Sequence, residues 1–100
     1  MAVIAQACRA PSSEESRKRL RLLWRALKEH YGADSINLDK VRFGDVLDQC
    51  SDIAEQYHDT ERIFCACHQL LARYINEARP HTDEHSTIVE LIHAHWPELA

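Results

Sequence analysis

Apolar side chains return every three or four residues along four successive segments of this chain, and no useful length alternates with a period of two. At about 100° per residue that spacing draws one apolar stripe down each of four helices, whereas strands would need alternation. In the first segment the stripe is Leu20, Leu23, Trp24, Leu27 and Tyr31. Ser12 stands three positions before Glu15, the capping-box spacing in which each side chain satisfies a free N–H of the other end. Gly32 supplies the stop, so a helix is predicted over 13–31.

The second stripe, Phe43, Val46, Leu47, Cys50, Ile53, Ala54 and Tyr57, is equally regular, but its start is open. Asn37 or Asp39 can cap it, or Gly44 can interrupt a short turn over 38–42. Asp59 and Thr60 offer a fresh cap, and Ile63, Phe64, Cys67, Leu70, Leu71, Tyr74, Ile75 and Ala78 follow until Pro80 ends the helix. Thr82 or Asp83 opens a fourth, whose buried side should hold Ile88, Leu91, Ile92, His95 and Trp96 before Pro97. Short connections make such neighbours antiparallel. The expected fold is therefore all-α: a compact antiparallel bundle of about four helices over 12–100, preceded over 1–11 by an N-terminal arm or short extra helix. Ala2, Val3, Ile4 and Ala7 are available there to pack. No fixed-period repeat points to a solenoid.

A chain of 100 residues with 45% hydrophobic and 28% charged side chains has enough apolar surface for one core and too little length for two. No apolar run approaches a membrane span, and the stretch over 1–8 lacks the basic start of a secretory signal, so a cytoplasmic location is expected. The helical stripes separate the four cysteines, which agrees with free thiols in a reducing compartment.

Charge is segregated along the chain. Residues 1–42 carry nine bases against five acids, and residues 43–100 carry three bases against eleven acids. On the second helix Asp45, Asp48, Asp52, Glu55 and Asp59 step by three and four, opposite the apolar stripe, with no Lys or Arg between Gly44 and Thr60. Like charges at this spacing cost about 0.2–0.5 kcal/mol per pair, so helix stability does not account for the row. It reads either as an ordinary solvated face or as an acidic ridge that docks on a basic groove of another protein. The first helix carries the converse, a basic flank of Arg17, Arg21, Arg25 and Lys28, with Lys18 beside it. That flank either contacts nucleic-acid phosphates or lies against acids of a neighbouring helix. The second use is favoured, because the chain is net acidic and no aromatic stacking motif interleaves the bases.

Seven histidines and four cysteines raise a metal-site hypothesis. Cys65 and Cys67 point about 200° apart on a helix, so they cannot share one ion, and Cys50 and Cys67 read as small core residues. What remains is a flank of Glu61, Cys65 and His68, and a pair His81 and His85 at i, i+4. Neither carries a paired Cys-x-x-Cys, and His95 reads as a hydrogen-bonded core histidine. No metal and no cofactor is therefore expected. Catalysis is not expected either: there is no glycine-rich phosphate loop, and Cys65 with His68 would sit on a convex helix without oxyanion donors.

These observations lead to a small acidic protein-binding module. The most specific expectation is an inhibitor or regulator that lays an acidic helix face on a basic, nucleic-acid-binding surface of a partner complex. In build alone, with no shared motif, the chain is similar to phage-encoded anti-defence proteins, anti-CRISPR proteins among them. The alternatives are a homo-oligomeric helical scaffold or adaptor using Leu22, Val89 and Leu99, and a metal-stabilised helical module.

Overall fold

The computed structural model describes residues 11–32, 37–77 and 83–100. The expected arm, with Ala2, Val3, Ile4 and Ala7, lies outside the described residues, as do Ala78, Pro80, His81 and Thr82. Four helices follow one another: α1 Ser13–Tyr31, α2 Leu38–Gln56, α3 Thr60–Ile75 and α4 Asp83–His95. A single 3-10 turn, Pro97–Leu99, completes the order, and there is no strand among the described residues.

Local chemistry sets the ends. The Ser12 hydroxyl accepts the Glu15 N–H at 3.1 Å, while the Glu15 carboxylate faces Arg19 at 3.5 Å instead of reaching back, so one half of the expected box is used. Gly32 takes φ 76°, and its N–H donates to the Lys28 carbonyl at 2.8 Å. The open start of α2 is resolved by Asn37, whose Oδ1 accepts from the Asp39 and Lys40 N–H groups at 2.9 and 3.1 Å. Gly44 does not interrupt the helix. Its missing side chain leaves room for Trp24 of α1, whose ring carbon Cη2 would meet an added Cβ at 3.6 Å.

The core is the set of predicted stripes turned inward. Leu20, Leu23 and Leu27 of α1 meet Phe43, Leu47, Cys50 and Ala54 of α2, Ile63, Cys67, Leu71 and Tyr74 of α3, and Ile88, Ile92 and Trp96. Specific contacts fix every neighbour as antiparallel. Arg17 at the start of α1 donates to the Ala54 carbonyl at the end of α2 at 2.7 Å. Lys40 at the start of α2 donates to the Gly32 carbonyl at 2.7 Å. Between α2 and α3, Phe43 packs on Tyr74 with centroids 5.2 Å apart, and the Cys67 thiol donates to the Cys50 carbonyl at 3.7 Å. Seven residues on along α2 is thus seven back along α3. His85 stacks on Tyr74, and Trp96 on Phe64, which ties α4 to α3.

Trp96 closes the bundle. Its indole is fully buried, lies nearly parallel to Phe64 at 5.4 Å, and donates Nε1–H to His68 Nδ1 at 3.3 Å. The Arg19 guanidinium sits 5.2 Å from the indole centroid, and holds Glu98 in two contacts of 2.7 and 3.2 Å. Partial burial raises the Glu98 carboxyl, but its hydrogen bonds from Arg19 and the local backbone outweigh this and hold it below its ordinary value. A group held down in this way stabilises the fold above its unfolded pKa of about 4.3 and ceases to do so as pH falls through its folded value.

Two predictions follow from these placements. In urea unfolding, Gly44→Ala should stabilise by about 0.5–1 kcal/mol through helix propensity, whereas Gly32→Ala should destabilise by about 1 kcal/mol, because only there is φ positive. The stability difference between the wild type and Glu98→Gln should be greatest at neutral pH and should shrink as the titration descends below about pH 4.3.

Candidate partner-binding face

Each acid of the α2 row sits where the core-facing stripe requires it to sit. Phe43, Leu47, Cys50 and Ala54 turn inward, so Asp45, Asp48, Asp52 and Glu55, at the complementary angles, are all exposed. None of the four makes an ion pair among the described residues. Asp59 stands apart. Helix α2 ends at Gln56, Tyr57 is extended, and Asp59 caps α3, accepting the Glu61 and Arg62 N–H groups at 2.9 and 3.2 Å. The ridge therefore runs from 45 to 55, about 15 Å at 1.5 Å per residue.

The row also extends in the other direction. Leu38 and Val41 are 65% and 50% exposed, and the steps from 38 through 41, 45, 48 and 52 to 55 alternate three and four without a break. One helix face thus presents two apolar side chains followed by four carboxylates. Reading Leu38 as a possible turn residue concealed this; continuing the three-and-four count backwards from Asp45 would have found it. Leu22, Val89 and Leu99, the apolar residues expected to be surplus, are each partly buried instead.

The basic flank divides. Arg17 is turned onto the Ala54 carbonyl, so its intramolecular partner is a backbone group and not an acid. Arg21 and Arg25 are exposed, and the Lys28 ammonium lies 6.0 Å from the Trp24 ring centroid. Between α1 and α2 runs a groove of about 160 Å³, floored by Leu20, Trp24 and Ala54, with Arg21 on one rim and Glu55 on the other.

The sulfur and imidazole groups are placed differently from the sequence expectation in two respects. The helical stripes kept the cysteines apart, yet Cys50 and Cys67 come together across α2 and α3, both fully buried. The neighbouring Cys67 thiol and then burial push the Cys50 thiol up, which keeps it protonated. The histidine in the core is His85, 2% exposed, and not His95, which lies at the edge of the α4 stripe and is half-buried. Glu61 and Cys65 are exposed beside His68. An indole N–H only donates, so His68 accepts at Nδ1 and a neutral ring carries its proton on Nε2, which removes the lone pair a metal would need. Among the described residues no three His, Cys, Asp or Glu side chains converge as a metal site. No helix among them is long and apolar enough to cross a membrane.

Comparison of the chain with protein-family models, curated proteins and solved structures gives no match in any of the three.

Thiol reactivity tests the placement. In a Cys8→Ser background, Ellman's reagent should modify one thiol per native chain, Cys65, and all three only in denaturant.

Proposed function

We propose that this chain is a protein-binding module acting as an inhibitor or regulator, which lays the α2 row on a basic, nucleic-acid-binding surface of a partner complex. The observation that carries the reading is the unbroken row of Leu38, Val41, Asp45, Asp48, Asp52 and Glu55, exposed along one helix face, with its carboxylates unpaired among the described residues. Each carboxylate occupies the position a phosphate takes on such a surface. A row of about 15 Å imitates a short length of backbone charge and competes for the same lysines and arginines. Unpaired surface acids raise the association rate and reject acidic partners, while burial of apolar side chains lengthens the life of the complex. Leu38 and Val41 provide that second element, each side chain contributing up to about 1.5–3 kcal/mol when fully covered. An anti-defence protein of the anti-CRISPR type is one example of a protein that would act in this way.

The contacts by which Trp96 closes the bundle favour the same reading. A preformed helix face costs little ordering on binding, so its charges are presented without conformational loss.

The test is a two-step competition. The immobilised chain is used to isolate its partner from the native host, and the partner's nucleic-acid binding is then measured by gel shift with and without the chain. The wild type should displace the nucleic acid, and Asp48→Lys with Asp52→Lys and Glu55→Lys should lose at least about 100-fold in affinity for the partner, with helicity unchanged. Leu38→Ala with Val41→Ala should instead speed dissociation and leave the salt dependence as it was. Equal capture by the charge-reversed protein overturns the reading.

A further inference from the structure

The basic flank of α1 and the acidic row of α2 share one step pattern. Lys18, Arg21, Arg25 and Lys28 advance by three, four and three, and so do Asp45, Asp48, Asp52 and Glu55. All eight are exposed. The two sets belong to adjacent antiparallel helices, and one member of each, Arg21 and Glu55, lines the groove between them. Within a single copy the sets are not joined by any ion pair among the described residues. Arg17, the base that reaches furthest across, is already committed to the Ala54 carbonyl.

We propose that a second copy of this chain covers the face, through a two-fold axis that lies in the interface plane along the α1–α2 groove. The operation is self-complementary. It sets the basic rim of each copy on the acidic rim of the other, and because the rotation keeps every helix direction while α1 and α2 are antiparallel, α1 of one copy then runs antiparallel to α2 of its partner. Steps of three, four and three read the same in both directions, so the antiparallel runs meet in register. Lys18 falls opposite the partner's Glu55, Arg21 opposite the partner's Asp52, Arg25 opposite the partner's Asp48, and Lys28 opposite the partner's Asp45, each contact occurring twice. The half-buried Trp24 on the groove floor lies at the centre of the covered area.

The physics sets the strength. Two helix faces about 15 Å long give an interface at or below the roughly 1,000 Å² expected of a lasting complex, and surface ion pairs contribute little each. The dimer is therefore weak and salt-sensitive, forming at high protein concentration and low ionic strength. It shares the acidic row with the docking reading above and rests on that row being free, so a second copy and the partner compete for one surface. Self-association stores the chain with its row covered, and dilution or a stronger basic surface uncovers it.

Analytical ultracentrifugation of the full chain tests this without any partner. At about 0.5 mM protein and about 20 mM salt, where charges act over more than 20 Å, the wild type should sediment as a monomer–dimer mixture. Its dissociation constant should rise at least tenfold by about 150 mM salt. Arg21→Glu with Arg25→Glu, and separately Asp48→Lys with Asp52→Lys, should each be monomeric, with circular dichroism confirming the helices. Mixed one to one, these two variants should form a heterodimer, since both rims are again complementary. A wild type that stays monomeric at low salt, a mixture that does not associate, or species larger than dimers overturns the proposal. Partner capture is measured at nanomolar concentration, where the chain is a monomer, and Arg21→Glu with Arg25→Glu leaves the acidic row intact. A wild type that stays monomeric at low salt yet captures its partner therefore refutes the dimer alone, and a wild type that dimerises without capture refutes the docking reading alone.

Discussion

The indole of Trp96 joins three elements through three kinds of contact, and the open face of the bundle depends on that closed seam. Stacking on Phe64 fixes the end of α4 against α3, the N–H bond to His68 fixes the ring's orientation, and the Arg19 guanidinium brings α1 onto the indole. Arg19 also holds Glu98, so the turn after Trp96 is anchored by the same side chain. A bundle that ends in a tied turn can leave the outer sides of α1 and α2 to be determined by something other than stability.

Those outer sides carry charge that the fold does not use. A row of like charges at helical spacing works against the helix that bears it, by about 0.2–0.5 kcal/mol for each neighbouring pair. Mixing acids and bases on both helices would remove that cost. Segregation of Lys18, Arg21, Arg25 and Lys28 from Asp45, Asp48, Asp52 and Glu55 gives two continuous rims of opposite sign instead. The exposed Leu38 and Val41 depart from ordinary surface composition in the same place.

Much of this architecture was legible in the sequence, because it follows from local rules. The Ser12 cap, the Gly32 stop and the three-and-four period locate α1, and the same period identifies Leu47, Cys67 and Ile92 as core. What was not legible is register between elements. Cys50 and Cys67 each lie in a stripe, but their meeting depends on how α3 is shifted along α2, which no single helix records. His85 and His95 both border the α4 stripe; which one is covered depends on the side from which Tyr74 approaches. Asp59 fits the acidic count and also fits a cap, and the cap prevails because α2 ends before Tyr57 and the first N–H groups of α3, at Glu61 and Arg62, need an acceptor. The acidic row itself was visible. Its apolar head continues the same count, but the exposure of Leu38 and Val41 depends on what packs over them.

Position 44 has a further consequence for how α1 and α2 sit together. With hydrogen in place of a side chain, the ring of Trp24 faces position 44 across space for about one methyl group, since an added Cβ would stand 3.6 Å from Cη2 and 3.9 Å from Cζ3. Flexible side chains at a helix contact relieve crowding by changing rotamer. A rigid plate has no such freedom. Bulk larger than a methyl group has to pry the helices apart about the Arg17–Ala54 contact at one end and the Lys40–Gly32 contact at the other, changing the angle between the charged rims while leaving every charge in place.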